Sequence, residues 1–292
     1  MNKMNNSLIH DVQTYILENG TAVDILRLVS AGYEIPSSVI DEALVKLKAL
    51  QNTDGGIPFD LTRGNPSSAK LTAEILPLLL RFRELYPELI NAMISFLISR
   101  QKKDGGFAET LNLDSYIEDK YGSTEGREWY PVGKSITWLT GKALEALVLV
   151  NYDDQERLRR SRDFLMYSQN EDGNWPDYPD HSESDPLGTG NILPALLAIG
   201  VDSNHKVYRG GRAALLHHLV TSIENNSTYD MVDLTAVGKP ETPQERDVIL
   251  RGLNLIMVSQ NHDGGWAPVG TKKSDPELSS ILAYVAKICS KY

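Results

Sequence analysis

Carboxyl groups are the side chains of this sequence with the clearest capacity for chemistry, and many of them lie in two long loops, 112–134 and 176–188. Two carboxyls on either side of a glycosidic bond can hydrolyse it, and clustered carboxylate oxygens can hold Ca²⁺. A polysaccharide lyase or hydrolase is therefore one hypothesis. In a chain with a net charge of -10, such residues are also typical of solvated loops. The acidic residues of the two loops are Asp114, Glu118, Asp119, Glu125, Glu128, Asp177, Asp180, Glu183 and Asp185.

Residues that bind transition metals are few. Cys289 is the single cysteine, which excludes an internal disulfide and a cysteine-rich zinc site. His217 and His218 are adjacent on a predicted helix, so their side chains point to different faces and do not share a metal ion. The sequence contains neither an Asp-rich magnesium motif nor an Asp-x-Asp-x-Asp-Gly calcium loop. We therefore expect no metal ion and no cofactor.

The balance of charge argues against nucleic acid as a partner. The sequence has 29 Lys and Arg against 39 Asp and Glu, and no basic stripe that could pair with phosphates. Polar residues occupy the positions where a secretion signal needs an apolar core, and no segment reaches about 18 uninterrupted apolar residues. We expect a cytoplasmic protein. A peripheral membrane contact and the oligomeric state stay open.

One phrase occurs four times and organises the elements that must position these side chains. Each copy follows a segment with the helical period of apolar residues, and a second such segment comes after it. Asp-Gly-Gly tolerates positive φ after a helix, the glutamine can bond loop backbone groups, and the final aromatic residue is expected to pack on the neighbouring hairpin. The copies are QNTDGG at 51–56, QKKDGGF at 101–107, QNEDGNW at 169–175 and QNHDGGW at 260–266.

The spacing of the copies predicts further helices. The gap between the third and fourth glutamines is wide enough for a degenerate pair at 208–224 and 230–237, and an N-terminal pair fits at about 6–19 and 22–32. Six such hairpins predict an all-α protein with a single (α/α)6 toroid over 1–292, in which inner helices ring a central cavity. Pro77 and Pro194 occupy equivalent positions and predict repeated kinks in two inner helices.

The repeated phrase resembles the QW repeat of squalene-hopene and oxidosqualene cyclases, which protein prenyltransferase β subunits share in a looser form. The stretch 227–237 followed by 243–266 is similar to the cyclase segment with the D-x-D-D-T-A acid motif and the next QW repeat. The prenyltransferase branch would require an Asp-x-Cys pair for zinc, which this sequence lacks. The larger cyclases join two helical domains, whereas this chain is long enough for one.

The resemblance implies a proton-initiated, class II type cyclisation of a polyprenyl or similar apolar isoprenoid substrate. Asp233 takes the position of the proton-donating aspartate, and Asp230 lies one residue from the position of the first acid, which Met231 occupies. Burial would keep such a carboxyl neutral, and aromatic faces would stabilise the carbocation. The aromatic candidates are Trp129, Tyr130, Trp138, Trp175, Tyr178 and Tyr229.

Two alternatives remain at this point. The loss of acidic residues from the motif is also typical of a noncatalytic toroid that binds an isoprenoid or a protein. The stretch QNEDGNWP resembles a phrase of one pectate lyase family, which keeps the polysaccharide lyase or hydrolase open.

Overall fold

The computed structural model describes residues 8–123, 129–179, 181 and 183–292, and the fold is all-α as predicted. Both N-terminal helices form, and the first begins later than expected. The α-helices are α1 Val12–Asn19, α2 Ala22–Ala31, α3 Ser37–Leu50, α4 Ala69–Ile75, α5 Pro87–Arg100, α6 Asp114–Tyr121, α7 Thr137–Leu149, α8 Gln155–Tyr167, α9 Pro186–Ala198, α10 Lys206–Glu224, α11 Pro243–Val258 and α12 Pro276–Cys289.

Short 3₁₀ helices and strands fill the connections. The two prolines differ in effect: the chain continues as a 3₁₀ helix around Pro77, whereas α9 contains Pro194 and runs on to Ala198. The 3₁₀ helices are Phe59–Leu61, Leu76–Phe82, Leu111–Leu113 and Tyr229–Val237. Two antiparallel pairs of two-residue strands, which the sequence did not predict, are β1 Ile57–Pro58 with β2 Ser67–Ser68 and β3 Trp175–Pro176 with β4 Ser184–Asp185.

The chain divides into two compact units, one of residues 48–215 and one of 8–47 with 216–292. In the first unit, α7 packs on both α4 and α9, and most of its side chains are buried. In the second unit, α12 packs on α1, on α2 and on the 3₁₀ helix Tyr229–Val237. The prediction of a single domain with six hairpins stays a prediction.

The glutamine of each repeated phrase joins two parts of the chain, as the sequence predicted in part. The Nε2 of Gln169 donates at 2.8 Å to the carbonyl of Gly173 in its own turn and at 2.8 Å to the carbonyl of Val207 in α10. The other three glutamines make the same pair of hydrogen bonds, so each phrase connects its turn to another segment of the same unit. The remaining pairs of acceptors are Gly55 and Leu89 for Gln51, Gly105 and Arg157 for Gln101, and Gly264 and His10 for Gln260.

The turn after each glutamine requires glycine for two reasons. Gly105 has a φ of 95°, and a Cβ atom at this residue would lie 2.3 Å from the carbonyl oxygen of Arg160. The Oδ1 of Asp104 accepts the amide of Gly106 at 3.0 Å, which closes the turn. The equivalent glycines, which also have positive φ, are Gly55, Gly173 and Gly264.

Three of the turns are hydrogen-bonded to the helix that follows them. In each case a side-chain hydroxyl near the start of the helix accepts a hydrogen bond from a backbone amide of the turn. The amide of Ile57 donates to Oγ1 of Thr72 at 2.9 Å, and the amide of Phe107 donates to Oγ1 of Thr140 at 2.9 Å. Trp266 and Ser279 form the same bond at 2.8 Å. These hydroxyls therefore fix the turn on the following helix.

In the part of the chain that the structure describes, no helix is long and apolar enough to cross a membrane.

Candidate functional site

Asp233 lies in the middle of the 3₁₀ helix Tyr229–Val237, with only 7% of its surface exposed. Asp233 does not cap this segment, because the N-cap position is occupied by Thr228. The Thr228 side chain makes no capping bond. The segment ends at Gly238, whose φ is 67°, and this agrees with the short helix expected from the sequence. Its neighbour Leu234 packs on Gly252 of α11. Asp233 is therefore a buried carboxyl in an otherwise apolar segment.

The two residues predicted to assist Asp233 have different surroundings. Asp230 is part-buried, and its Oδ2 accepts a hydrogen bond from the hydroxyl of Ser222 at 2.8 Å. Tyr229 begins the 3₁₀ helix and is 46% exposed. Both residues lie near Asp233 along the chain, but only Asp233 is fully buried.

Three of the predicted aromatic residues form one cluster beside the start of α7. The rings of Trp129 and Tyr130 stack at 5.3 Å between centroids, and Trp138 meets Tyr130 edge-on at 5.1 Å. The indole of Trp138 also donates to the carbonyl of Trp129 at 3.0 Å. Tyr121 adds a fourth ring, at 5.1 Å from Trp129. Trp129 is 39% exposed, so this cluster offers an accessible aromatic face.

The cluster rests on a buried carboxylate that sequence reasoning missed. Glu109 accepts hydrogen bonds from the hydroxyl of Tyr130 at 2.8 Å, from the hydroxyl of Ser68 at 2.8 Å, and from the amides of Ala69 at 2.6 Å and Lys70 at 2.9 Å. These two amides begin α4, where the helix dipole favours a negative charge. Burial, followed by the charge of Glu109, raises the pKa of Tyr130 well above its usual value of 10.0. Tyr130 therefore stays a neutral donor that orients the cluster.

A second pair of carboxyls meets at the starts of α7 and α9. Asp177 follows β3 and is 7% exposed, and Asp185 ends β4 and caps α9. The carboxyl of Asp177 is hydrogen-bonded to that of Asp185. Burial, followed by the neighbouring charge of Asp185, raises the pKa of Asp177 from 3.8 to about 7. Asp177 is therefore protonated in a substantial fraction of the molecules at neutral pH, unlike an ordinary aspartate.

The backbone of Asp177 is joined to α7. Its carbonyl oxygen accepts from the amide of Thr137 at 2.8 Å and from the Thr137 hydroxyl at 3.2 Å. Trp138 is the next residue of α7, so the acidic pair and the aromatic cluster flank the same helix start. The sequence had placed Asp177 and Asp185 among solvated loop acids, because burial and the contact between them are not visible in the chain order.

The last two predicted aromatic residues are separate from the cluster. Tyr178 is part-buried, and its ring centroid lies 4.2 Å from Nζ of Lys134 and 4.8 Å from the ring of His181. Trp175 is fully buried, and its indole donates to the carbonyl of Leu165 at 2.7 Å. Trp175 thus packs inside its hairpin, whereas Tyr178 lies directly beside Asp177 in the chain.

The other loop acids are solvated where they are described. Glu125, Glu128 and Asp180 lie outside the described residues. Among the described residues, no group of three or more His, Cys, Asp and Glu side chains could hold a metal ion. The exposed acids are Asp114, Glu118, Asp119 and Glu183.

An open groove of about 560 Å³ lies beside Glu109. Arg100, Lys102, Thr110 and Asn112 give it a polar wall, and Leu111 is its most apolar lining residue. None of the predicted aromatic or acidic residues lines this groove.

Solved structures decide the fold. A variant of the type II terpene cyclase MstE from Scytonema, in complex with its substrate geranylgeranyl dihydroxybenzoate, superimposes with a TM-score of 0.66 and 15% sequence identity over 96% of this chain and 86% of that one. The chain has the fold of the type II terpene cyclases. This terpene cyclase fold agrees with the resemblance seen in the repeated phrases.

Other relatives extend the likeness. A protein from Actinoplanes has a TM-score of 0.66 and 16% identity, over 93% of this chain and 89% of its own. The ent-copalyl diphosphate synthase of Streptomyces platensis matches 96% of this chain with half of its own, at a TM-score of 0.56 and 20% identity. The terpene cyclase fold is therefore found both in chains of similar length and as one part of a longer enzyme.

A curated protein sequence is similar to part of this chain. Lanosterol synthase of Saccharomyces cerevisiae is 34% identical over 83 residues, which are 27% of this chain. This match spans only 10% of the length of lanosterol synthase. No protein-family model matches the chain.

Proposed function

We propose that the protein is an enzyme that cyclises an apolar, prenyl-type substrate by protonating it. The observation that carries the proposal is the terpene cyclase fold, which this chain shares with MstE over nearly its whole length. MstE is a type II terpene cyclase with a prenylated aromatic substrate and with merosterolic acid A as a product. Its match covers most of both chains, so the length of this chain no longer argues against catalysis by one such fold.

The chemistry requires a carboxyl that is protonated at the pH of the reaction and a surface that tolerates a carbocation. Two carboxyls are buried, and burial favours the protonated form that the first requirement asks for. Asp233 is the donor expected from the resemblance, and Asp177 is the carboxyl that the structure adds. Trp129, which stacks on Tyr130 and is 39% exposed, offers a ring face for the second requirement, at about 0.5–2 kcal/mol for a cation–π contact.

The geometry gives less support to a polysaccharide hydrolase. The carboxyls of Asp177 and Asp185 are hydrogen-bonded to each other, whereas the two carboxyls of a retaining glycosidase are about 5–5.5 Å apart and those of an inverting enzyme are farther apart. A sugar ring does not fit between two groups in direct contact.

Incubation in D₂O tests the proposed reaction. The purified protein is mixed with geranylgeranyl dihydroxybenzoate, geranylgeranyl diphosphate and squalene, and the products are separated and weighed by mass spectrometry. A proton-initiated cyclisation in H₂O yields an isomer of the substrate. In D₂O the acid delivers a deuteron and the carbocation later loses a proton, so the product is one mass unit heavier.

Two outcomes contradict the proposal. A probe that binds and is recovered unchanged supports the noncatalytic binder. A product that has lost diphosphate and contains no deuterium indicates ionisation of the substrate in place of protonation. Heat-denatured protein is the control for exchange without catalysis.

A further inference from the structure

The hairpin β3–β4 brings two carboxyls into contact that are eight residues apart in the sequence. Trp175 is paired with Asp185 in the strand register, and Asp177 follows two residues after Trp175. The backbone of Asp177 is held by Thr137 at the start of α7, and Asp185 caps the start of α9. The backbone of Asp177 is therefore fixed by the start of α7, and the side chain of Asp185 is fixed by the start of α9.

Hydrogen bonds determine which carboxyl is ionised. Oδ1 of Asp185 accepts the amide of Leu187 at 3.0 Å, and Oδ2 accepts the amide of Gly188 at 2.9 Å. These amides and the dipole of α9 stabilise the carboxylate form of Asp185. The proton of the pair therefore belongs to Asp177, which has no backbone amide bound to its carboxyl among the described contacts.

One oxygen of Asp177 is left over. Its Oδ1 is buried, and no hydrogen-bond partner for this atom is found in the described part of the chain. A buried polar atom without a partner costs free energy and calls for an explanation, such as an ordered water or a catalytic role. Asp177 is only 7% exposed, so its carboxyl lies where bulk water hardly reaches.

Two aromatic residues are chain neighbours of the residues at this position. Tyr178 follows Asp177 directly in the chain, and Trp138 follows Thr137, to which Asp177 is bonded. We propose that Asp177, positioned by Asp185, is the proton donor of the cyclisation, and that the aromatic cluster of Trp129, Tyr130 and Trp138 accommodates the cation that results. This inference rests on the function proposed above and assigns its acid to a residue other than Asp233.

The proton transfer balances in the following way. The O–H bond of Asp177 breaks as its proton forms a C–H bond with the terminal alkene of the prenyl chain, and the π bond of the alkene opens to a tertiary carbocation. Ring closure moves the positive charge along the chain. The final cation loses a proton to solvent water, and Asp177 regains one from water. No oxidant or reductant is required, and the substrate is converted to its isomer.

Matched amide variants separate the two acids. Asp177→Asn, Asp233→Asn and the control Glu171→Gln are compared by the rate of deuterated product formation from geranylgeranyl dihydroxybenzoate in D₂O. Glu171 is an exposed carboxyl in the repeated phrase 169–175, shortly before Asp177 in the chain. We expect Asp177→Asn to lower the rate by at least about 100-fold, which is the usual scale for a general acid, and the control Glu171→Gln to stay within about threefold of the parent protein.

A second readout follows the proton without substrate. The protein is labelled with ¹³C at its aspartate carboxyls, and the resonances are titrated by NMR. We expect one aspartate to titrate near neutral pH in the parent protein and to disappear in Asp177→Asn. In Asp185→Asn, the positioning residue is lost, so the same resonance should titrate at lower pH and the pH profile of the rate should move with it.

The outcomes are distinct. Full activity of Asp177→Asn together with loss of activity in Asp233→Asn overturns this inference and leaves the proposed cyclase intact. Titration of every aspartate below about pH 5 overturns the shared proton and hence the donor. Absence of deuterated product from the parent protein with every probe overturns the proposed function itself.

Discussion

The carboxyls of Asp177 and Asp185 are hydrogen-bonded to each other at the edge of a two-residue strand pair, and burial together with the charge of Asp185 raises the pKa of Asp177. The pKa of Asp177 is raised from 3.8 to about 7, so between these pH values the folded chain holds a proton that the unfolded chain has released. Linkage then requires this group to lower the free energy of unfolding as pH rises through that range, by at most about 1.4 kcal/mol per pH unit.

Asp177→Asn should remove this dependence. We expect the free energy of unfolding of the variant minus that of the parent protein to be about 2 kcal/mol larger at pH 8 than at pH 5, because only the parent loses stability over this range. Urea unfolding at the two pH values measures the difference, and Glu171→Gln serves as the control for loss of a surface charge. An equal difference at both pH values would show that Asp177 is ionised in the folded protein.

Loss of a repeat glutamine should destabilise the protein through its two acceptors. Gln169→Met keeps the length of the side chain but leaves the carbonyls of Gly173 and Val207 without their donor. We expect a loss of about 2–3 kcal/mol in the free energy of unfolding. The control is Gln155→Met, since Gln155 makes only an exposed bond of 3.5 Å. Similar unfolding midpoints for the two variants would contradict this role.

Alanine substitutions at two glycines should distinguish the cost of a positive φ from the cost of a steric clash. Gly64 and Gly105 have φ values of 94° and 95°, but a Cβ atom at Gly64 meets nothing within 4 Å, whereas one at Gly105 would lie 2.3 Å from the Arg160 carbonyl oxygen. We expect Gly64→Ala to cost about 1 kcal/mol and Gly105→Ala about 3 kcal/mol or more in unfolding free energy. Equal losses, measured by thermal and urea unfolding, would mean that α8 moves aside at no cost.

The hydroxyl of Tyr130 should contribute to stability through Glu109. Tyr130→Phe removes one of the four hydrogen bonds to the buried Glu109 carboxylate, and we expect a loss of about 1–2 kcal/mol. Tyr167→Phe is the matched control, because Tyr167 is 90% exposed. The near-ultraviolet circular dichroism of the cluster should also change in Tyr130→Phe alone. A change of less than about 0.5 kcal/mol would show that the three other donors suffice.

The sequence was sufficient to predict the all-α class and the repeated turns because the determinants of these turns are local. A glutamine at a helix end and a glycine with positive φ are recognisable from residue type and spacing, and Gln101 and Gly105 occupy their expected places. The strands could not be predicted, since two residues are too few for a period of alternation.

The candidate site was accessible to prediction only in part. Trp129, Tyr130 and Trp138 were identified as aromatic candidates by residue type and position, but the contact between their rings was not predicted. The roles of Glu109 and Asp177 could not be inferred, because each depends on a partner from another segment and on burial. A carboxyl in an acidic loop has the same appearance in the sequence whether it is solvated or enclosed.

The hydroxyls that fasten the turns also change how the acid motif is to be understood. Thr72, which begins a second Thr-Ala pair, accepts a hydrogen bond from a backbone amide, and Thr140 and Ser279 accept the same bond in their repeats. At these positions a hydroxyl holds the preceding turn on the helix that follows it. A Thr-Ala pair is consequently not by itself a sign of an acid site, and a carboxyl in such a repeat has to be assessed from its own burial and contacts.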